Sequence, residues 1–165
     1  MCVAPRCQIG ISAYKQPLLW LQQCISSALQ QKGINLDIQI TVRTDGPDAC
    51  DQECMTWLRE VATENSEIEL IEGRKQLGTF ASYRQIFSSK QSPFLCQLDA
   101  DDWLQPGALQ EAVTLLTQHP EAPFLYTDCL EVNPGGTPIG TGARSRTPFD
   151  QQTMLAQFIT FHLRL

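Results

Sequence analysis

The sequence contains no apolar run long enough to cross a membrane. A spanning helix needs roughly 18 to 20 consecutive apolar residues, and polar residues interrupt every apolar stretch here well before that length. Residues 1–10, MCVAPRCQIG, also lack the apolar centre of a secretory signal. We therefore predict a protein without a membrane span that is located in the cytoplasm.

Positive charge is scarce. Lys and Arg total 12 residues against 18 of Asp and Glu, which gives a net charge of −6. The cationic residues are scattered, so the basic face of a nucleic-acid-binding protein is missing. We exclude DNA and RNA as partners.

Three sequence motifs of common α/β enzymes are absent. The chain has no GxGxxG after its first predicted strand and no GxxxxGK[ST] anywhere. It also has no GxSxG, the motif that carries the nucleophile of α/β-hydrolases. These absences disfavour a Rossmann dinucleotide site, a P-loop and an α/β-hydrolase.

The seven cysteines do not form an evident disulfide or zinc framework. Their number is odd, and most lie within apolar patterns. The close pair Cys50 and Cys54 has no histidine nearby in sequence to complete a zinc site. We predict that most of the thiols are reduced and buried.

The length of 165 residues predicts a single domain over residues 1–165. A chain of this length buries a sufficient core without disulfides.

Apolar residues alternate along the chain between the spacing of strands and the spacing of helices. Strands are predicted at 7–11, 37–43, 68–71 and 93–98, and helices at 17–33, 51–64, 79–88 and 106–118. This alternation predicts an α/β fold with a mostly parallel open sheet and helices on both faces, in three layers. Two further strands are predicted at 124–132 and 137–141, and a last helix near Asp150.

Polar clusters follow each of the four predicted parallel strands, at 12–14, 44–46, 73–75 and 99–102. The carboxyl ends of parallel strands meet at one edge of the sheet, and open α/β sheets bind ligands there. The four clusters are therefore predicted to form one rim.

The most acidic cluster lies in the segment QLDADDWLQP, residues 97–106, where Asp99, Asp101 and Asp102 follow an apolar strand. Because like charges repel, at least one carboxylate should have a raised pKa unless water or a cation separates them. If the backbone stays extended, Asp99 and Asp101 point the same way and suit Mg²⁺ or Mn²⁺ shared with substrate phosphates. Alternatively, Asp102 caps the next helix, or the cluster is a solvated turn.

Taken together, these motifs resemble the GT-A-fold glycosyltransferases of family 2, which transfer a sugar from a nucleotide-diphosphate sugar with inversion. Residues 9–15 resemble the family's opening strand and turn, and 44–47 its Asp-Asp-Gly-Ser turn. Residues 78–85 are similar to a Gly-to-Asn helix start, and 98–106 to the Leu-Asp-x-Asp-Asp segment. The chain departs from the family at Ser12-Ala13, Thr44 and Gln85, where Pro-Thr, Asp and Asn are usual.

The resemblance implies a role for individual rim residues. Tyr14 and Asp45 would contact the base, and Asp99 the ribose or a metal-bound water. The nucleotide-binding set that we expect is Ser12, Ala13, Tyr14, Asp45, Arg84, Asp99 and Ala100. The implied cofactor is Mg²⁺ or Mn²⁺, held by Asp101 and Asp99.

The resemblance also implies a carboxylate base that takes the proton of the acceptor hydroxyl. In the family it lies well downstream of the aspartates, so we expect it beyond Leu165, in a donor-binding domain incomplete at its C-terminus. Asp128 and Asp150 are alternative bases, although a strand-end and a helix-cap role suit them as well. His162 and Trp103 are more typical of packing residues.

Two other functions stay open. A shortened transferase-like chain can bind a sugar nucleotide or a partner without catalysis. A nucleotidyltransferase is disfavoured, because its glycine- and arginine-rich N-terminal loop is not visible. The acceptor is a glycan, a lipid or a protein, and we expect self-association if missing elements leave apolar surface exposed.

Overall fold

The computed structural model describes residues 4–33, 35–89, 92–127 and 129–142. It divides into two compact units, one within Met1–Ala122 and one within Pro123–Leu165. A single domain over 1–165 stays a prediction.

The larger unit alternates strands and helices, as the sequence predicts. Its strands are β1 (Arg6–Ala13), β2 (Asp37–Thr44), β3 (Ile68–Glu72) and β4 (Phe94–Asp99). Its helices are α1 (Leu18–Leu29), α2 (Gln52–Glu64), α3 (Thr79–Ile86) and α4 (Ala108–Gln118). A 3₁₀ turn, Phe87–Ser89, follows α3, so the helix predicted over 79–88 changes its hydrogen-bond pattern in its last turn.

The four strands form one parallel sheet in the order β3-β2-β1-β4. From β1 the chain proceeds to β2 and β3 on one side, and then returns to place β4 on the other side of β1. The carboxyl ends of β1 and β4 therefore flank the point at which the strand order reverses. Open α/β sheets bind ligands at such a point.

One face of the sheet carries the apolar core. Alternate residues of β1 and β2, such as Ile9, Ile11 and Ile40, are fully buried against side chains of α1, α2 and α4. Full burial of an aliphatic side chain stabilises a protein by about 1.5–3 kcal/mol. This face therefore supplies most of the hydrophobic stabilisation of the unit.

The opposite face of the sheet is more polar and is covered by α3. Gln8 on β1 donates its Nε2 hydrogens to Thr41 Oγ1 at 3.1 Å and to the Ile86 carbonyl at 3.3 Å. At Gly10, a β-carbon would lie 2.6 Å from Phe87 Cζ, so the missing side chain admits the end of α3. Helices on both faces confirm the predicted three-layer α/β/α arrangement.

Capping residues and glycines set the helix boundaries. Asp51 caps α2, because its Oδ1 accepts from the Cys54 amide at 2.8 Å. The fourth helix begins at Ala108 rather than at the predicted Pro106, because Gly107 has a left-handed backbone with φ of 78°.

The smaller unit contains an antiparallel pair, β5 (Cys129–Val132) and β6 (Pro138–Gly142). Asn133 closes the turn, since its Oδ1 accepts from the amides of Gly135 and Thr137 at 3.0 Å each. Of the strand predicted over 124–132, residues 129–132 form β5, in which Cys129 pairs with Gly142, whereas residues 124–127 are not in a strand. The helix predicted near Asp150 lies outside the described residues.

Three of the described cysteines lie in the apolar core. Cys7, Cys24 and Cys54 are buried thiols, and burial raises the pKa of Cys7 and Cys24 to about 12. They stay protonated at neutral pH, as predicted for reduced packing residues. No helix in the described ranges has the length and apolar character needed to span a bilayer.

Candidate functional site

The predicted rim lies at the carboxyl ends of β1, β2 and β4. Ser12 pairs with Asp99 across β1 and β4, and Ala13 pairs with Thr44 across β1 and β2. The Asp45 amide donates to the Ala13 carbonyl at 2.9 Å, which extends the contact by one residue. The end of β1 is thus held between the acidic segment and the turn after β2, at the point where the strand order reverses.

The acidic segment turns immediately after β4. The strand ends at Asp99, and the Asp102 amide donates to the Asp99 carbonyl at 2.9 Å. The Cys24 thiol of α1 contacts the same carbonyl at 3.5 Å. The premise of an extended backbone past Leu98 is therefore wrong, and strand alternation does not set the directions of Asp99 and Asp101.

The electrostatics of this turn agree with the repulsion expected from the sequence. Partial burial of its carboxyl, followed by the charges of Asp101 and Asp99, raises the pKa of Asp102 above its ordinary value. Asp102 does not cap the next helix, because Gly107 occupies the N-cap position and no side chain there accepts a hydrogen bond. The turn therefore concentrates negative charge at the rim.

Asp99 is held by Tyr83, a residue of α3 that is not among the site residues predicted from the sequence. Tyr83 is 6% exposed, and its hydroxyl lies 2.8 Å from Asp99 Oδ1 and 2.9 Å from the Leu98 carbonyl. Burial, and then the Asp99 carboxylate, raise the pKa of Tyr83 far above its ordinary value. A buried tyrosine hydroxyl normally needs a partner, and that is the signal that could have revealed the contact.

Asp45, the residue expected to contact the base, is 3% exposed in the structure. Its Oδ1 accepts from Arg43 at 2.6 Å, from the Leu77 amide at 2.8 Å and from the Ser82 hydroxyl at 2.9 Å. Its Oδ2 accepts from the Gly78 amide at 2.8 Å. The carboxylate therefore fixes residues 77–78 and the start of α3, and its contact with a base stays a prediction.

The charge of Asp45 is stabilised by these partners. Burial alone would raise the pKa of Asp45, but hydrogen bonds from Leu77, Arg43, Gly78 and Ser82 outweigh it and lower the pKa. Asp45 is therefore ionised at neutral pH, opposite a buried guanidinium.

Arg43 is a site residue that the sequence reasoning missed. Its side chain is 3% exposed, and besides Asp45 it donates to Gln85 Oε1 at 2.8 Å, Ser82 Oγ at 2.9 Å and the Lys75 carbonyl at 3.2 Å. A charged residue inside an alternating strand, two positions from an aspartate, was the available signal, because such residues share one side of the strand.

The turn after β1 presents one aromatic ring at the rim. Tyr14 is half-buried, and the Lys15 ammonium lies 5.1 Å from the centre of its ring. Lys15 has a left-handed backbone with φ of 62°, and its amide donates to the Ala49 carbonyl at 2.7 Å. The turn is therefore tied to the loop after β2.

The remaining predicted residues differ in how they can reach a ligand. Ser12 is half-buried, whereas Ala13 and Ala100 are each 1% exposed, backbone included, and present almost no surface to a ligand. Arg84 is exposed on α3, whereas its neighbours Tyr83 and Gln85 contact Asp99 and Arg43. Trp103 is half-buried. Asp128, Asp150 and His162 lie outside the described residues.

The carboxylates of the acidic turn are possible ligands of a hard cation. Among the described residues, no group of three or more His, Cys, Asp or Glu side chains is arranged to hold a metal. Mg²⁺ is usually bound by one or two carboxylates together with substrate phosphates. One or two carboxylates of the turn would suit a cation that takes its other ligands from a diphosphate and water.

Comparison with known proteins agrees with this arrangement. Residues 8–157 match the model of the family described as glycosyl transferase family 2. Chondroitin synthase and hyaluronan synthase of Pasteurella multocida are each 22% identical over 146 residues, which cover 88% of this chain. The chain spans 14% of the length of each of these relatives.

Solved structures show the same fold. The structure of S. aureus TarS 1-349 in complex with UDP-GlcNAc superposes on this chain with a TM-score of 0.57 at 13% identity. The match covers 70% of this chain and 32% of TarS 1-349. The four-stranded parallel sheet is thus that of GT-A transferases, and the chain belongs to glycosyl transferase family 2.

Proposed function

We propose that this chain binds the donor in a glycosyltransferase that moves a sugar from a nucleotide-diphosphate sugar to an acceptor hydroxyl. The observation that carries the proposal is the pairing of Ser12 with Asp99, which sets the acidic turn beside the end of β1. Ligands of open α/β sheets bind at this reversal of strand order. Membership in glycosyl transferase family 2 supports a sugar nucleotide as the ligand at this location.

The nucleotide is proposed to lie along the end of β1. The half-buried ring of Tyr14 is proposed to contact the base, and Asp99 the ribose or a metal-bound water. Ser12, Ala13 and Ala100 are the other residues proposed for this edge. The buried pair of Arg43 and Asp45 supports the loop beside it.

Asp101, together with Asp99, is proposed to hold Mg²⁺ or Mn²⁺. When bound, the cation neutralises the charge that develops on the departing nucleotide diphosphate. Asp101 is exposed and does not cap α4. Its carboxylate is therefore available to bind a cation beside a phosphate group. Arg84 is a further proposed source of positive charge for the phosphates.

In the proposed reaction, the acceptor oxygen attacks the anomeric carbon from the side opposite the nucleotide. A new carbon–oxygen bond forms as the bond to the diphosphate breaks, and the diphosphate leaves with the electron pair. The proton of the acceptor hydroxyl passes to a carboxylate base. We leave that base unassigned, and the acceptor is a glycan, a lipid or a protein.

The assignment of Asp101 can be tested by calorimetry with uridine diphosphate. Asp101→Ala should abolish the part of the binding that depends on Mn²⁺ and leave the metal-independent part unchanged. Glu64→Ala, an exposed carboxylate at the end of α2, is the matched control and should bind as the wild type does. Equal Mn²⁺-dependent binding by Asp101→Ala would remove Asp101 from this role.

The alternative of a non-catalytic module predicts binding of the sugar nucleotide without turnover. Family membership does not favour it over a transferase. Transfer or hydrolysis of a donor sugar by the chain would contradict it. Cytoplasmic location and self-association remain predictions beside this proposal.

A further inference from the structure

Tyr83 connects α3 to the acidic turn across the polar face of the sheet. Its ring packs parallel to that of Phe87, with the ring centres 6.1 Å apart. The hydroxyl lies 2.8 Å from Asp99 Oδ1 and 2.9 Å from the Leu98 carbonyl. A helix residue 6% exposed therefore contacts an exposed carboxylate at the rim.

The direction of these hydrogen bonds follows from the number of protons. A tyrosine hydroxyl carries one proton and, with an ordinary pKa of about 10, keeps it at neutral pH. The Leu98 carbonyl and the Asp99 carboxylate can only accept. Tyr83 is therefore the donor, and a carboxylate oxygen is a stronger acceptor than a carbonyl oxygen.

A second donor approaches the same oxygen. The Gln97 Nε2 atom lies 3.5 Å from Asp99 Oδ1, at the long end of hydrogen bonding. Both contacts involve Oδ1, and no side chain or amide in the described part of the chain donates to Oδ2, which is therefore the oxygen left for a ligand. The orientation of the carboxylate then depends on the Tyr83 hydroxyl more than on the weaker Gln97 contact.

We propose that Tyr83 is a positioning residue, which holds Asp99 by its Oδ1 so that Oδ2 is presented to the nucleotide diphosphate and its cation. This inference rests on the proposed function, because it requires a donor site at the acidic turn. Residues that orient a metal-binding carboxylate typically change metal affinity about 10- to 100-fold when they are mutated. Loss of the hydroxyl should act within that range.

The test is a double-mutant cycle of Tyr83→Phe and Asp99→Ala, with binding of uridine diphosphate in Mn²⁺ as the measured quantity. Tyr83→Phe keeps the ring and its contact with Phe87 and removes only the hydroxyl. We expect it to weaken binding about 10-fold or more. In the Asp99→Ala background the same substitution should change nothing, because the carboxylate it orients is gone.

A control separates positioning from general stability. Thr41→Val removes another buried hydroxyl from the same sheet face, which accepts from Gln8. Thermal unfolding of both variants shows whether each still folds. Thr41→Val should keep wild-type affinity even if its melting temperature falls as far as that of Tyr83→Phe.

The outcomes distinguish the inference from the proposed function. Wild-type affinity in Tyr83→Phe, or equal losses from that substitution with and without Asp99, would overturn the positioning role alone. If the wild-type chain itself shows no Mn²⁺-dependent binding, the proposed donor site fails and the positioning role fails with it. A loss that disappears in the Asp99→Ala background supports both.

Discussion

At the level of single residues, Arg43 and Asp45 form a buried ion pair near the rim. The Arg43 Nη1 atom lies 2.6 Å from Asp45 Oδ1. Removing one partner of a buried pair leaves the other charge without compensation, which typically costs about 3–5 kcal/mol. Asp45→Asn should therefore lower the free energy of unfolding by an amount of this order in urea denaturation.

Asp48→Asn is the matched control for this substitution. Asp48 lies three residues away in the same loop and is exposed, so the same chemical change should alter stability by less than about 0.5 kcal/mol. Equal effects of the two substitutions would contradict the importance assigned to the buried pair.

The lowered pKa of Asp45 also gives a pH dependence of stability. Its hydrogen bonds hold the pKa below the unfolded value of 3.8, so the unfolded chain takes up this proton first as the pH falls. The stabilisation is complete above the unfolded pKa and is lost as the pH falls through the folded one. Below about pH 4, stability should fall more steeply in the wild type than in Asp45→Asn. Parallel pH curves from urea denaturation would contradict this.

At the scale of elements, the loop after β3 fits closely against the turn after β2. A β-carbon at Gly73 would lie 2.1 Å from the Thr44 carbonyl oxygen and 2.9 Å from an Arg43 guanidinium nitrogen. Backbone atoms cannot yield cheaply, and overpacking typically costs about 1–3 kcal/mol. Gly73→Ala should therefore lower the melting temperature by several degrees and weaken binding of uridine diphosphate.

Gly33→Ala provides the comparison for that substitution. A β-carbon at Gly33 would meet nothing within 4 Å, and its backbone is not left-handed. Its melting temperature, followed by circular dichroism, should stay close to that of the wild type. A Gly73→Ala variant as stable as Gly33→Ala would show that the loop is not packed as described.

The elements were predictable because each carries its own periodic pattern. The alternation of 37–43 and the helical spacing of 51–64 are local properties, and both elements are present within a residue of these bounds. The strand over 124–132 was overpredicted, because pairing depends on a partner as well as on local preference. Tyr83 and Arg43 were missed as site residues because their contacts depend on how α3 docks on the sheet.

At the scale of the whole molecule, apolar side chains remain on the surface of the described residues. Leu19, Phe80 and Ile139 are 68%, 85% and 68% exposed, and β4 is an edge strand of the four-stranded sheet. Exposed apolar groups and the edge strands of a sheet favour association. We expect the purified chain to self-associate, and a monomeric mass by light scattering at high concentration would contradict this.

Much of the rim was predictable at this scale, because the carboxyl ends of parallel strands must meet. The sequence located Ser12, Asp45 and Asp99 at one edge. In the structure Ser12 pairs with Asp99, and the Asp45 amide bonds to the Ala13 carbonyl. It could not separate an exposed carboxylate such as Asp101 from one whose oxygens are already engaged, such as Asp45. That distinction requires the partners on α3 and the loop before it.

A donor site at the acidic turn can be tested by calorimetric titration of the wild-type chain with uridine diphosphate. Binding should strengthen with Mn²⁺, whereas uridine monophosphate should gain little because a diphosphate is needed to share the cation. Absence of binding with and without Mn²⁺, or equal gains for both nucleotides, would contradict the site as described.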